Sequence, residues 1–267
     1  MNGRLLLQTW RWQRVRLLVI TIAALGWGTL FPIFYSAFSD ALRSLANSGT
    51  IPEQLYNFGS GSLFTLPGAL TLGLEHPLTL AMLGIFAVGA TTGAVAGERQ
   101  RGTLEVLLAR PISRRTVYVT VAIALLLVIG VVLAAILAGM AIGAATQGLL
   151  DQLDLSALPL VFANGLLLWG SFGAFGLAAS VTFDRVGPAL GLTMAYVLVN
   201  YFLEILGSLL TDLAWSQKYS LFHHFQPGLI LTGKTDALDF VILAIAVAVP
   251  VVYALIVFPR RDLAAPS

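Results

Sequence analysis

Six long apolar segments, joined by shorter polar ones, make up most of the chain. A helix that crosses a bilayer needs about 20 mainly apolar residues. The segments that reach this length are residues 17–38, 77–96, 116–146, 158–181, 188–210 and 239–258. They predict an all-α membrane protein with six transmembrane helices, spans 1 to 6, in a single transmembrane domain covering residues 1–267.

The longest polar connections are two predicted outer loops and one central loop; a short acidic outer turn at residues 147–156 and a second turn at residues 183–187 join the remaining spans. Residues 39–75 and 211–238 are predicted outer loops, and residues 97–115 form a predicted cytoplasmic loop between spans 2 and 3. Within the first outer loop, residues 63–74 are apolar but short and are interrupted by Pro67. This pattern indicates an interfacial or re-entrant segment rather than a further span.

The N-terminal segment, residues 1–16, combines four arginines with Trp10 and Trp12. One interpretation is an interfacial helix at the headgroup boundary, where tryptophan is anchored and arginine side chains extend toward the polar layer. The other is an arginine-rich flank that only orients span 1. The segment itself favours neither interpretation over the other.

Composition supports the membrane assignment and restricts the possible chemistry. Only 10% of the 267 residues are charged, whereas soluble domains carry about 25%. The spans leave no room for a soluble catalytic domain. The chain has no cysteine, which excludes disulfides and thiolate metal sites.

The distribution of lysine and arginine predicts the orientation. Twelve of the 15 basic residues fall on one side if both termini lie on the side of the central loop. Short cytoplasmic loops carry an excess of such residues. We therefore expect a multi-pass protein of the prokaryotic plasma (inner) membrane with both termini cytoplasmic.

Periodicity in the central loop predicts a short amphipathic helix. Leu104, Leu107 and Leu108 fall within an arc of about 100°, the width of a helix's apolar stripe. Glu98, Arg101 and Glu105 occupy an adjoining face at spacings that favour ion pairs, and a proline at 111 ends the element. An ordinary positive-inside loop would explain the arginines, but not the helical register of the leucines and glutamates.

The same loop resembles that of a known family, the type-two ABC exporter permeases. The positions that match the family pattern are Gly97, Glu98, Gly102, Thr103, Leu104, Glu105, Leu107, Leu108, Pro111, Ser113 and Arg114. The six-span layout and the arginine-rich N-terminus extend the resemblance over most of the chain. One departure is Arg115-Thr116, where relatives often continue toward a lysine.

The resemblance implies a coupling helix that docks on a separate ATPase subunit. The residues implied in coupling are Glu98, Arg101, Gly102, Thr103, Leu104, Glu105, Leu107, Leu108, Arg110 and Pro111. It also implies two ABC ATPase subunits that hold ATP and Mg, and a second permease chain, identical or homologous. We expect export of a lipid or hydrophobic substrate, no nucleic-acid partner, and no enzymatic activity, cofactor or metal in this chain.

Two alternatives to a transporter follow from the same residues. One is a non-transporting membrane subunit of an ABC-like complex that transmits force or scaffolds an assembly. The other is an intramembrane enzyme, for which Asn200 and Glu204 alone supply no convincing catalytic set.

Spans 4 and 5 contain two asparagines and one glutamate. Asn164, Asn200 and Glu204 all fall in the predicted outer half of the bilayer. Buried polar groups in spans are costly and often functional. These three form a candidate substrate pathway; alternatively, they only tie helices together.

A phosphate-loop pattern occurs at residues 228–235, G-L-I-L-T-G-K-T. That motif binds phosphate only between a strand and a helix of an α/β domain. Here it lies in the second outer loop, between spans 5 and 6. We therefore interpret it as a turn that leads into span 6.

Overall fold

A computed structural model describes residues 3–48, 57–58, 61–62, 64–104 and 112–261. The longer helices are α1 (Gly3–Asn47), α2 (Leu66–Glu75), α3 (Pro77–Gly84), α4 (Thr91–Gln100), α5 (Arg114–Thr146), α6 (Leu158–Thr182), α7 (Val186–Leu209), α8 (Pro227–Leu231) and α9 (Ala237–Arg260). Within these described ranges, six helical segments are long and apolar enough to cross a membrane. The fold is therefore all-α with six spans: α1, then α3 with α4, then α5, α6, α7 and α9.

Short elements occupy the connections between spans 1 and 2, between spans 3 and 4, and between spans 5 and 6. Two-residue strands β1 (Asn57–Phe58) and β2 (Gly61–Ser62) pair antiparallel. The 3-10 turns are Leu150–Gln152, Leu155–Ala157, Thr211–Tyr219 and Phe222–His224. Helix α2 has only ten residues, about 15 Å in length, which is too short to cross the hydrocarbon core.

Span 1 belongs to a helix that is longer than the predicted span. Helix α1 runs for 45 residues, so residues 3–16 are helical and continuous with span 1, and their position at the headgroup boundary stays a prediction. Residues 4–25 contain neither glycine nor proline, and no residue in this stretch therefore favours a break. The apolar window within α1 is Gln13–Ala41.

Span 2 is helical throughout but irregular in the middle. A π-helix over Ile85–Ala90 separates α3 from α4. Directly after it, the hydroxyl of Thr91 donates to the Ala87 carbonyl oxygen at 2.6 Å, and that of Thr92 donates to the Val88 carbonyl oxygen at 2.7 Å. These bonds give two carbonyl groups of the π-helix an additional donor. Such π segments within α-helices are frequent at functional sites.

Spans 3 and 4 form the centre of the bundle. Trp169 and Phe172 of span 4 are fully buried with Ile129, Leu133 and Ile136 of span 3. Spans 5 and 6 lie at the periphery, and only 11% of the apolar window of span 6 is buried within the chain. Their exposed apolar surface therefore faces lipid or another chain.

Glycines allow spans 1 and 3 to approach at backbone distance. A Cβ atom placed on Gly28 would lie 2.1 Å from the Ile136 carbonyl oxygen, and one on Gly139 would lie 2.1 Å from the Leu25 carbonyl oxygen. Membrane helices associate largely through such close packing, because lipid tails remove the hydrophobic driving force between helices. The Gly28 and Gly139 contacts therefore set the distance between the two spans.

Span 1 also holds the short outer helix α2. The indole N–H of Trp27 donates to the Thr79 hydroxyl at 2.9 Å, and that hydroxyl donates to the Gly73 carbonyl oxygen at 2.6 Å. A Cβ atom on Gly73 would lie 2.6 Å from the ring of Phe31. These contacts keep the break between α2 and α3, at His76, packed on span 1.

The substitution Gly28→Ala should destabilise the protein, whereas Gly26→Ala on the same helix should not. The new methyl group at 28 would overlap the backbone of span 3, and overpacking of this kind costs about 1–3 kcal/mol. Gly26 has no atom within 4 Å of the added Cβ. Thermal unfolding of the two purified variants in detergent measures the difference; equal melting temperatures would contradict the proposed helix contact.

Candidate functional site

The central loop begins at the C-terminal end of helix α4. Helix α4 closes in a Schellman motif: the Thr103 N–H donates to the Glu98 carbonyl oxygen, and the Gly102 N–H donates to the Arg99 carbonyl oxygen, both at 2.9 Å. Gly102 has φ +70°, a left-handed conformation that favours glycine. The motif explains why Gly102 and Thr103 occur together at this position.

The side chain of Glu98 reinforces this turn. Its two carboxylate oxygens accept hydrogen bonds from Arg101 Nη2 and Thr103 Oγ1. Leu104 is buried in an apolar cluster with Tyr118 and Leu125 of span 3. Five predicted coupling residues lie outside the described residues: Glu105, Leu107, Leu108, Arg110 and Pro111.

Near this turn, the Asp184 carboxylate joins three parts of the chain. The Asp184 Oδ1 atom, between spans 4 and 5, lies 2.6 Å from Arg99 Nη1 of span 2 and 2.7 Å from Arg261 Nη2 after span 6. Arg99 is 6% exposed, while the Asp184 side chain is 58% exposed. The arrangement links the ends of four spans through a single acidic residue.

Arginine side chains also bind the backbone at the ends of spans 4 and 6. Arg114 Nη1, at the start of span 3, donates to the carbonyl oxygens of Phe258, Pro259 and Arg261. Arg261 Nη1 donates to the Val181 carbonyl oxygen. Cations at a helix C-terminus satisfy its free carbonyl groups and interact favourably with the helix dipole.

Spans 2 and 4 are further joined by Ser180. Its hydroxyl accepts from the N–H groups of Val95 and Ala96 and donates to the Thr92 carbonyl oxygen, at 2.7–2.9 Å. The Gln100 side chain accepts from the Val186 N–H at 3.1 Å, which caps span 5. Span 2, and with it the turn before the central loop, is thus bound to both spans 4 and 5.

We call the group Arg99, Arg114, Ser180, Asp184 and Arg261 the interhelical network. The sequence assigned Arg99 and Arg261 only to membrane orientation and Arg114 also to the family pattern, and it gave Ser180 and Asp184 no role. The available signal was Asp184, an acidic residue in a short turn on the arginine-rich side. Its partners could not be inferred because they are 85 and 77 residues away in the chain.

The two candidate pathway amides bind the second outer loop. Asn164 is fully buried; its Nδ2 donates to the His224 carbonyl oxygen and its Oδ1 accepts from the Gln226 N–H. The Asn200 Oδ1 atom accepts from the Leu221 N–H at 2.8 Å. These contacts account for the burial of both amides and join spans 4 and 5 to the loop between spans 5 and 6.

Glu204 lies farther along span 5 among charged groups of the outer end. Its Oε1 accepts from Gln217 Nε2 at 3.0 Å and lies 3.9 Å from His223 Nδ1. This carboxylate raises the pKa of His223, against the opposing effect of partial burial. Burial raises the pKa of Glu75 well above its usual value, and the negative charge of Glu204 adds to that effect.

The backbone conformation at the phosphate-loop pattern differs from that of a nucleotide-binding site. Its first half belongs to helix α8, and Gly233 adopts φ +77° in the turn that follows. No strand precedes it within the described part of this loop. The order helix, turn, helix agrees with its interpretation as the approach to span 6.

Six apolar helices around a buried core, with a polar connection anchored at one end, define a polytopic membrane protein. A comparison with protein families gives the particular assignment: the model described as ABC-2 family transporter protein matches residues 10–263. The chain therefore belongs to the ABC-2 transporter family and is a permease, the membrane component of an ABC transporter. A comparison with curated proteins finds no match.

Asp184→Asn should destabilise the purified protein by about 1–2 kcal/mol. The change leaves the buried Arg99 without its carboxylate partner; the expected cost lies between that of exposed pairs and that of fully buried pairs because Asp184 is partly solvated. Asp151→Asn is a matched control at an exposed residue of the outer turn. Denaturant unfolding in detergent that gives equal stabilities for both variants would rule out a structural role for the Asp184 pairs.

The His223–Glu204 pair predicts a pH-dependent contribution to stability. Because the folded-state pKa of His223 is raised, the contribution is complete below the unfolded pKa of about 6.5 and is lost as pH rises through the folded pKa. We therefore expect the melting temperature to fall as the pH rises above about 6.5, the ordinary pKa of histidine. His223→Gln and Glu204→Gln should each reduce that decrease, and an unchanged pH profile in both variants would contradict the pairing.

Proposed function

We propose that this permease is the transmembrane subunit of an ATP-driven exporter that works as a dimer with two separate ATPase subunits. The observation that carries the proposal is the anchored start of the central loop. Glu98, Gly102 and Thr103 build a defined turn, and Leu104 packs on span 3. The residues that follow, including Glu105 and Leu108, would then form the coupling helix implied by the family resemblance.

The interhelical network supplies a route by which this loop could move the spans. Force applied at residues 105–111 would reach span 2 through Leu104 and the helix end at Gln100. The Arg99–Asp184 ion pair would transmit this force to spans 4 and 5, and the Arg261–Asp184 ion pair would transmit it to span 6. Because these contacts are direct ion pairs and hydrogen bonds, the spans would rock together rather than bend independently.

The arginine-rich side is the cytoplasmic side in this proposal. Arg99, Arg101, Arg114 and Arg115 lie near the loop, and Arg261 lies within the same network. The positive-inside tendency places such groups in the cytoplasm, where ATP is available. ATP and Mg would be held by the partner ATPases in a prokaryotic plasma membrane.

The substrate pathway would form between two permease chains, identical or homologous. Spans 1, 5 and 6 expose extensive apolar surface, which suits a lipid or hydrophobic substrate moving along a dimer seam. Asn164, Asn200 and Glu204 are bound within one chain. They would shape the outer end of the pathway indirectly, by fixing the loop at residues 211–238.

A second candidate function is force transmission or scaffolding without transport. The observation that favours it is the complete pairing of Asn164 and Asn200, which leaves these amides without a free polar group for a substrate. Substrate-dependent stimulation of ATP hydrolysis in liposomes would favour export. ATP hydrolysis that responds to no lipid or hydrophobic compound would favour the second candidate.

Glu105→Ala and Leu108→Ala should each weaken association with the ATPase about tenfold, the loss expected for one central interface side chain. The measurements are recovery of the ATPase with the tagged permease from host membranes and ATP hydrolysis by the recovered complex. Asp151→Ala and Leu150→Ala are matched controls in the outer turn. Full recovery and unchanged hydrolysis in both loop variants would overturn the coupling role.

A further inference from the structure

A large apolar groove lies between spans 4, 5 and 6. It has a volume of about 650 Å³ and is open on one side. Phe175 of span 4 and Tyr196 of span 5 form its back wall; their rings are stacked, with 4.3 Å between the ring centroids. Ala246 and Val249 of span 6 form the opposite wall. Among the described residues, none of the pathway or coupling residues lines it.

The groove has the length of one bilayer leaflet. On span 6 its lining extends from Ile242 to Tyr253, which corresponds to about 16 Å along the helix axis. Half of a hydrocarbon core about 30 Å thick is nearly the same length. The groove could therefore take one extended acyl chain oriented along the membrane normal.

A second, basic cavity adjoins the groove at the arginine-rich end. Its volume is about 350 Å³, and it is lined by Thr182, Ile256, Val257, Arg260 and Arg261. Thr182 lines both cavities, and its hydroxyl lies 3.0 Å from the Tyr253 hydroxyl at their junction. An apolar slot, two hydroxyl groups and a basic cavity thus follow one another along span 6.

Arg260 is available to bind an anion in this cavity. Arg261 is occupied by Asp184 and the Val181 carbonyl oxygen. The side chain of Arg260 is exposed and makes no hydrogen bond or ion pair within the described residues. Asp184 is already shared by two arginines, so the local charge is positive and favours a negatively charged group.

We propose that this composite groove binds an anionic phospholipid, with an acyl chain between spans 4, 5 and 6 and the headgroup phosphate at Arg260. Basic cavities between transmembrane helices bind anionic headgroups in this way. A second permease chain fits the groove less well, since a copy inserted in the same orientation would place its own arginines at the same depth. Occupancy would tie span 6 to span 5 beside the interhelical network.

The test is lipid retention by the purified full-length chain, measured by native mass spectrometry after incubation with phosphatidylglycerol or phosphatidylcholine. We expect saturable retention that favours phosphatidylglycerol. Arg260→Gln should weaken it about fivefold, as expected for one basic residue near a membrane surface. Arg115→Gln is the matched control, an exposed arginine at the same end that lines neither cavity.

A second pair of variants tests the acyl slot. Ala246→Trp fills the groove and should reduce retention, whereas Ala248→Trp, on the same helix but outside the lining, should not. Size-exclusion chromatography verifies that each variant is folded. If Ala246→Trp fails to fold, the comparison of Arg260→Gln with Arg115→Gln still decides the proposal.

Four results would overturn the proposal. The first is equal retention of the two lipids, and the second is an equal loss of retention from Arg260→Gln and Arg115→Gln. The third is displacement of the lipid by free glycerol phosphate, which would indicate a site for a soluble anion. The fourth is a change of oligomeric state in Ala246→Trp with unchanged lipid retention, which would show that a second chain covers the groove.

Discussion

The interior of a bilayer offers no water to polar groups, and most of the architecture can be understood as a response to that constraint. Each buried polar side chain discussed above has a partner on another element. Trp27 and Thr79 join span 1 to the short outer helix. Asn164 and Asn200 bind the second outer loop, and Ser180 joins spans 2 and 4. Polar groups therefore specify which helices meet, while apolar residues fill the space between them.

Close backbone contact is the second means of specifying neighbours. Gly28 and Gly139 bring spans 1 and 3 together, and Gly176 of span 4 would place a Cβ atom 2.2 Å from the Thr91 hydroxyl oxygen of span 2. The first contact involves span 3 and the second involves span 4. These two spans lie at the centre of the bundle, and spans 5 and 6 lie outside it. This order leaves peripheral apolar surface for a partner chain, a substrate or lipid.

At the arginine-rich end, charged side chains also specify which spans are neighbours. Asp184 holds Arg99 and Arg261 at 2.6 and 2.7 Å, and Arg114 covers the end of span 6. The central loop is thus attached to a platform made from the ends of five spans. A loop anchored in this way at its start can transmit displacement to several spans at once.

The sequence alone determined the fold class, because six apolar segments of sufficient length permit no other structure in a membrane. It also identified the central loop and the family, since the Gly102-Thr103-Leu104 turn is local and is encoded within a few residues. It could not show that α1 continues through residue 16, because continuous helix and flanking segment share the same residue types there. Asn164 and Asn200 were recognised as costly buried groups, but their partners in the loop were not.

Only the tertiary structure decided how distant charges pair. Arg99, Asp184 and Arg261 are separated by more than 75 residues, and nothing local distinguishes them from other residues near a membrane surface. The groove beside Arg260 likewise exists only once spans 4, 5 and 6 pack together. Local patterns report which solvent each residue prefers, whereas pairing and cavities depend on which helices become neighbours.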